Sequence, residues 1–285
     1  MLPEDFLSRL LSVLNCSILV LLFISGCAAQ VATNQIQARE LAPAVMAEIK
    51  RAEFLGKAMF EQDIPAARAT DELLRHGVKR GKTDVVGWIT VPADDGWLVR
   101  FIAEDDNDNY SAVYDVRIPK TGRPIFTELS PRERLPQKQA AMFRARQTAI
   151  AAVRKNCSDA YNTIVLSDPD SPEGWLVYVL AATQVTDEMV LGGHHRVRVT
   201  ADGRSVLQDT PLSKSCLRIP PPNPEAGKVV AAYATHLVSS TPIETHVFVN
   251  LLHHRPLLVG TDLGVWGVDE GKIKYIRPMK TEQEK

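Results

Sequence analysis

Trp97-Leu98-Val99-Arg100-Phe101-Ile102-Ala103 is the stretch whose reading decides the fold class. It is short, rich in aromatic and β-branched side chains, and bounded by Asp94-Asp95-Gly96 on one side and an Asp/Asn-rich run on the other. That is the composition of a β-strand between turns. Runs of the same kind flank it, residues 85–91 (VVGWITV) and 111–118 (SAVYDVRI). The loops between them are short, so the three read as antiparallel strands joined by hairpins. Thr121-Gly122-Arg123-Pro124 closes the group as a turn. The link Asp105-Asp106-Asn107-Asp108-Asn109 begins like a calcium loop, but Tyr110 stands where that loop needs glycine and Val116 where it needs glutamate. It reads as a solvated hairpin turn.

Upstream the period changes from two to between three and four. Ile36, Leu41, Val45, Met46, Ile49, Phe54, Leu55 and Met59 predict an amphipathic helix over residues 35–60. Residues 64–76 continue it after a break at Pro65, with Gly77 as the C-cap. The same order then recurs at an offset of about 80 residues. Ala58-Met59-Phe60 is matched by Ala141-Met142-Phe143, Gly96-Trp97-Leu98-Val99 by Gly174-Trp175-Leu176-Val177, and Asp115-Val116-Arg117-Ile118 by Arg196-Val197-Arg198-Val199. The expected fold is therefore α+β: tandem helix-plus-three-antiparallel-strand units, helices on one face of the sheet, with a C-terminal β-rich segment.

In domain terms the first unit spans residues 35–129, the second 130–217, a Pro-rich connector 218–227 and the β-rich segment 228–285. Residues 130–139 open the second unit as a linker with two prolines and a charge cluster. In the last segment, residues 229–238 read as a helix, 244–252 and 257–260 as strands, and 265–276 as a hairpin around Asp269-Glu270-Gly271.

The N-terminus carries a different signal. An apolar run over residues 18–24 ends in Ile24-Ser25-Gly26-Cys27, with Arg9 ahead of it, the layout of a secretory signal peptide. These four residues resemble the lipobox of bacterial lipoproteins. The resemblance implies cleavage after residue 26, lipidation of Cys27 and a tether over residues 27–34. It also implies a membrane attachment through the lipid, with the body in the cell envelope, on the periplasmic side of the outer membrane. Glu4 and Asp5 depart from the usual basic start of such signals.

Cys16 would leave with the signal and Cys27 would take lipid, so Cys157 and Cys216 remain, and two thiols in an oxidising compartment pair. Removing residues 1–26 takes away Arg9, Glu4 and Asp5 and leaves as many acidic as basic residues. A body without net charge gives no electrostatic case for nucleic acid.

Candidate chemistry rests on the histidines. His236, Glu244 and His246 are the one set that a turn could bring together, Glu244 and His246 sharing a face if they lie on a strand. Nitrogen and oxygen donors of this kind suit zinc or another divalent metal. Against that, no HExxH, GxSxG, P-loop or dinucleotide fingerprint is present. His194 and His195, after Gly192-Gly193, and the tryptophans Trp97 and Trp175 are candidates to line a groove, although as core anchors the two tryptophans need no ligand. The expectation is a non-catalytic envelope module without cofactor, binding a protein, peptide or glycan. The alternative is a metal-dependent hydrolase of an envelope polymer.

Overall fold

The computed structural model describes residues 41–79, 81, 83–105, 109–223, 225 and 230–278. The signal segment, Cys27 and the tether lie outside the described residues, as do residues 35–40 of the expected first helix, residues 106–108 of the Asp/Asn-rich turn, parts of the connector and the tail from residue 279.

Helix α1 runs Pro43–Arg75 as one piece. Proline suits the first helical position because its missing N–H has no partner there in any case. The expected break at Pro65 does not occur. A proline inside a helix costs about 3 kcal/mol in isolation, but Pro65 lies on the same buried stripe as Ile49, Ala52, Leu55, Met59, Ala66, Ala69 and Leu73. Packing on both sides of the proline offsets the local cost. Gly77 (φ 82°) ends the helix as expected. Its N–H donates to Leu74 O (3.0 Å) and that of Val78 to Leu73 O (3.3 Å), the paired bonds of a Schellman cap.

The first sheet follows in the order β1-β2-β3-β4, every pair antiparallel: β1 (Val85–Ala93), β2 (Gly96–Glu104), β3 (Tyr110–Pro119) and β4 (Ile125–Arg134). The three expected strands are present. β4 corrects the expected linker: most of residues 130–139 continue this strand or open the next helix. It was hidden because all but two of its residues are exposed, leaving no hydrophobic alternation to read. Helix α2 (Gln137–Ala152) comes next, then a second sheet of order β5-β6-β8-β9, again antiparallel throughout. Its strands are β5 (Tyr161–Asp168), β6 (Ser171–Ala181), β8 (His195–Val199) and β9 (Val206–Pro211). A two-residue strand β7 (Met189–Val190) pairs with β10 (Arg218–Ile219) beside it.

The C-terminal part corrects two expectations. Residues 232–235 form strand β11 (Ala232–Thr235), not a helix; its alanines suggested helix, but burial alternates strictly along it. Residues 244–252 fall in helix α3 (Glu244–His253), not in a strand. Glu244 through Asn250 are all buried, so neither period shows, and the β-branched and aromatic run Val247-Phe248-Val249 suggested strand. α3 is the crossover between β11 and the parallel β12 (Leu257–Gly260). The hairpin β13 (Val265–Asp269) and β14 (Lys272–Arg277) turns at Glu270 (φ 47°) and Gly271 (φ 73°), the two positive φ values of a type I′ turn.

Two of the cores formed by described residues join the helices α1 and α2 to the first two sheets. Ile89, Ile102 and Ala112 of the first sheet, Met142, Phe143 and Ala149 of α2, and Val165, Trp175, Val177, Val179 and Val197 of the second sheet share one. Ala69 and Leu73 of α1 cover Val99, Phe101, Val116 and Ile118 in the other. α1 ties all three larger sheets together. Glu53 accepts from Ile273 N (2.8 Å) and Lys272 (2.9 Å) on β14, and Arg51 binds Asp170 at the β5–β6 turn through two 2.8 Å bonds. Gln62 acts as a surrogate strand. Its Oε1 accepts from Val165 N (3.0 Å), while its Nε2 donates to Val165 O (2.9 Å) and to Thr90 O (3.4 Å). Where α1 crosses α3, Gly56 is required: a Cβ there would lie 2.5 Å from Val247 Cβ and 2.6 Å from Glu244 O.

Cys157 and Cys216 are disulfide-bonded, 59 residues apart in sequence, with Cα atoms 5.2 Å apart. Gly193 (φ 79°) packs against this bridge so closely that a Cβ would meet Cys157 Cβ at 2.3 Å. By the loop-entropy argument, replacing both cysteines by alanine is expected to cost about 2–4 kcal/mol. Urea unfolding of the variant beside the parent checks this. An unchanged midpoint would mean that the bridge does not restrict the unfolded chain as the loop argument requires.

Candidate functional site

β6 sends alternate side chains to opposite faces of its sheet. Trp175, Val177 and Val179 enter the shared core, while Tyr178 faces the other way and meets α3. The Tyr178 hydroxyl donates to Glu244 Oε1 (3.0 Å), and Arg196, its cross-strand neighbour, donates to the same oxygen (2.7 Å). Glu244 is the first residue of α3, where the helix dipole favours a negative charge, and it is 3 % exposed. Burial together with this carboxylate drives the Tyr178 phenol well above its ordinary range.

Of the three candidate metal ligands, two meet. The rings of His236 and His246 cross edge to face at 4.7 Å. Glu244 does not share a face with His246, because two residues on a helix lie more than half a turn apart; its carboxylate serves Tyr178 and Arg196 instead. His246 Nδ1 accepts from Ile243 N (3.0 Å), capping the start of α3, and His236 Nε2 bonds Ser239 Oγ (2.8 Å). Burial pushes His236 down to about 4 and His246 well below the usual imidazole range. Among the described residues no group of three or more His, Cys, Asp or Glu is arranged to hold a metal ion.

The groove-lining candidates also have structural partners. His194 is buried, its Nδ1 accepting from Ala181 N (3.1 Å) and its Nε2 bonding Val190 O (3.0 Å), and burial holds it down to about 4. His195 is less buried and pairs with Asp209 (2.9 Å). Trp175 is a core residue whose indole N–H donates to Ala201 O (3.0 Å), and Trp97 packs beside the core under α1.

A different cleft gathers polar groups without partners. It is lined by Gln62, Asp63 and Ala66 of α1, Trp88, Ile89 and Thr90 of β1, Met142 and Arg146 of α2, and Thr163 to Val165 of β5. β1 and β5 are edge strands of their sheets, so the cleft lies where two sheet edges approach. Its free space is about 10 Å³, room for about one water molecule, and it is partly open to solvent. Arg146 is 7 % exposed and stacks on the Trp88 ring at 4.7 Å. Nη1 donates to Gln147 (2.9 Å), while Nε has no acceptor among the described residues. Thr163 Oγ1, also 7 % exposed, has no partner either. Desolvation lowers the Arg146 guanidinium to about 10 and raises the Asp63 carboxyl to about 6. Buried polar groups without partners are uncommon in native proteins, and each calls for an explanation.

The sequence holds a signal for this cleft. Arg146 falls on the apolar stripe of α2, four residues after Met142 and three before Ala149, and Gln62 sits likewise between Met59 and Ala66 on α1. A charged or amide side chain at such a position has to find a partner or a purpose. Comparison with protein-family models, with curated proteins and with solved structures finds no match to this chain.

Proposed function

We propose that this chain is an exported, lipid-anchored binding module of the cell envelope. It is non-catalytic, attached through Cys27 to the outer membrane on its periplasmic side, and docks an envelope protein, peptide or glycan over the mouth of the cleft between β1 and β5. One observation carries the binding role: Arg146 Nε and Thr163 Oγ1 are buried beside that cleft with no partner among the described residues. The disulfide fits an oxidising compartment. No helix among the described residues is long and apolar enough to cross a membrane, so the lipid supplies the attachment in this reading. We read the two helix-and-sheet units as an internal duplication; what supports it is the same antiparallel order of the first two four-stranded sheets, each after a helix. The hydrolase alternative draws on His236, Glu244 and His246, whose carboxylate is bound by Arg196 and Tyr178.

The reading is tested in living cells with a photo-crosslinking residue in place of Val86, exposed on β1 two residues from Trp88. The control is Ile125, exposed on β4 at the far edge of the same sheet. Mass spectrometry is expected to find one defined adduct from position 86, absent from position 125 and lost with Arg146→Gln. Equal labelling at both positions, or none at 86, would overturn it.

A further inference from the structure

We propose that one end of the third sheet, β11-β12-β13-β14, is a bilayer-docking surface: Leu237, Val238, Leu263 and Ile276, with Met46 of α1, enter the interface of the membrane that the Cys27 lipid holds. This rests on the reading of the chain as lipid-anchored and adds how its body meets that membrane.

Strand register brings these side chains to one place. Thr235 of β11, Gly260 of β12, Val265 of β13 and Arg277 of β14 stand abreast across the sheet. The loop after β11, the β12–β13 turn and the end of β14 therefore all leave at the same end. Leu237 is 65 % exposed there, and Val238, Leu263 and Ile276 are exposed with it. Apolar residues scattered singly over a surface need no explanation, but a set gathered at one end marks an interaction site.

The two loops are also held in shape before anything covers them. Ser240 Oγ donates to Asp262 Oδ2 (3.0 Å), Thr261 Oγ1 to Ser240 O (2.8 Å), Ser239 Oγ to Thr241 O (2.7 Å) and Tyr275 Oη to Leu263 O (3.3 Å). Loops braced in this way lose little freedom when their tips enter an interface.

Where the chain comes in decides what covers this end. Thr241 Oγ1 donates to Glu48 Oε2 (3.3 Å), which seats the β11–α3 loop on α1 just past the exposed Met46 and about 8 Å along the axis from Pro43, the first residue of the helix. Cys27 and Leu41 are fourteen residues apart in sequence. The lipid therefore keeps this end within at most about 50 Å of the bilayer, and such confinement turns a weak contact into a populated one. Glu48 and Asp262 stand there against Arg277, so charge does not select anionic headgroups and the apolar side chains carry the contact. Gln62 lies about 30 Å along α1 from Pro43, which separates the β1–β5 cleft from the docked end.

The test uses the full-length chain, exported and lipidated, in vesicles of phosphatidylethanolamine and phosphatidylglycerol. A polarity-sensitive fluorophore is attached through Leu237→Cys, Leu263→Cys or, as control, Ile125→Cys on β4 of the first sheet, which packs under the opposite end of α1. With Cys157 and Cys216 bridged and Cys27 lipidated, the introduced thiol takes the label. Labels at 237 and 263 are expected to shift to the blue and to be quenched by lipids with nitroxide on the acyl chain, the label at 125 to do neither, and high salt to change nothing. Leu237→Asp should lower the docked fraction read at 263 about tenfold. A chain that floats with the vesicles while both labels stay in water would overturn the docking and leave the anchor standing. A chain that does not float would overturn both. A blue shift without nitroxide quenching would mean that a protein, a second copy included, covers this end, and would overturn the bilayer as its occupant. Should Leu237→Asp disturb the fold, Leu263→Asp read at position 237 decides.

Discussion

Lowering the pH from 7 to 4 is expected to remove about 4 kcal/mol or more of this protein's stability. His194 and His236 are both held down to about 4 by burial, against about 6.5 in an unfolded chain. Their folded values lie below their unfolded ones. Between pH 6.5 and 4 the unfolded chain therefore takes up protons that the folded chain refuses. Their contribution is complete above pH 6.5 and falls as the pH drops, by about 3 kcal/mol for each ring. His246, lower still, has the same sign and extends the fall below pH 4.

Geometry gives the same result. His194 Nδ1 accepts from Ala181 N, and a proton on that nitrogen would break the bond and leave a charge with no water. Asp63 opposes the histidines. Its folded value is raised to about 6, so its contribution is complete below about pH 3.8 and lost as the pH rises through 6. Across this window it returns up to about 3 kcal/mol, which is why the net loss is smaller than the histidine sum. Urea midpoints at pH 7, 5.5 and 4 measure the effect, and Asp63→Asn should steepen the loss. A stability that is flat from pH 7 to 4 in both proteins would show that these rings are not buried as neutral imidazoles.

The second large effect is expected from Glu244→Ala. This carboxylate is the common acceptor for Arg196 and Tyr178 at the junction of α3 with the second sheet. Removing it leaves a partly buried guanidinium with only the Tyr178 oxygen to accept from it, and a fully buried phenol O–H without an acceptor. Breaking a buried pair from one side costs about 3–5 kcal/mol, far more than the net worth of the pair. Glu244→Gln keeps an amide oxygen for one of the two donors and should lose less. Tyr178→Phe removes only the hydroxyl and should cost about 1 kcal/mol. A double-mutant cycle between Glu244→Ala and Tyr178→Phe should show clear coupling. Additive losses would mean that the hydroxyl gains nothing from the carboxylate.

Half-buried strands were legible and wholly exposed or wholly buried elements were not. β1, β2 and β3 announce themselves because aromatic and β-branched runs end in turn residues on both sides. β4 pairs with β3 on either side of an irregular stretch over residues 129–132, its side chains face water, and its sequence, with Pro131 and four charged residues, looks like a loop. α3 fails for the opposite cause, since burial on every side erases the helical period. That error misled the site reading as well, because it placed Glu244 and His246 on one face. The disulfide followed from compartment and count alone. The cleft had no motif to reveal it: Asp63, Trp88, Arg146 and Thr163 lie on four elements, and only the misfit of Arg146 with its apolar stripe pointed there.

Gln62 bears on how the chain keeps its own company. An exposed sheet edge is a template for any passing strand, and this fold places two such edges, β1 and β5, side by side. One amide side chain occupies the hydrogen-bonding groups of Val165 and reaches Thr90 opposite, so α1 lies across both edges as a cover. Loss of that helix, by truncation or by proteolytic nicking, would uncover two unpaired backbones at once. The damaged product would then be a chain prone to join its neighbours edge to edge, and solubility would be lost together with stability.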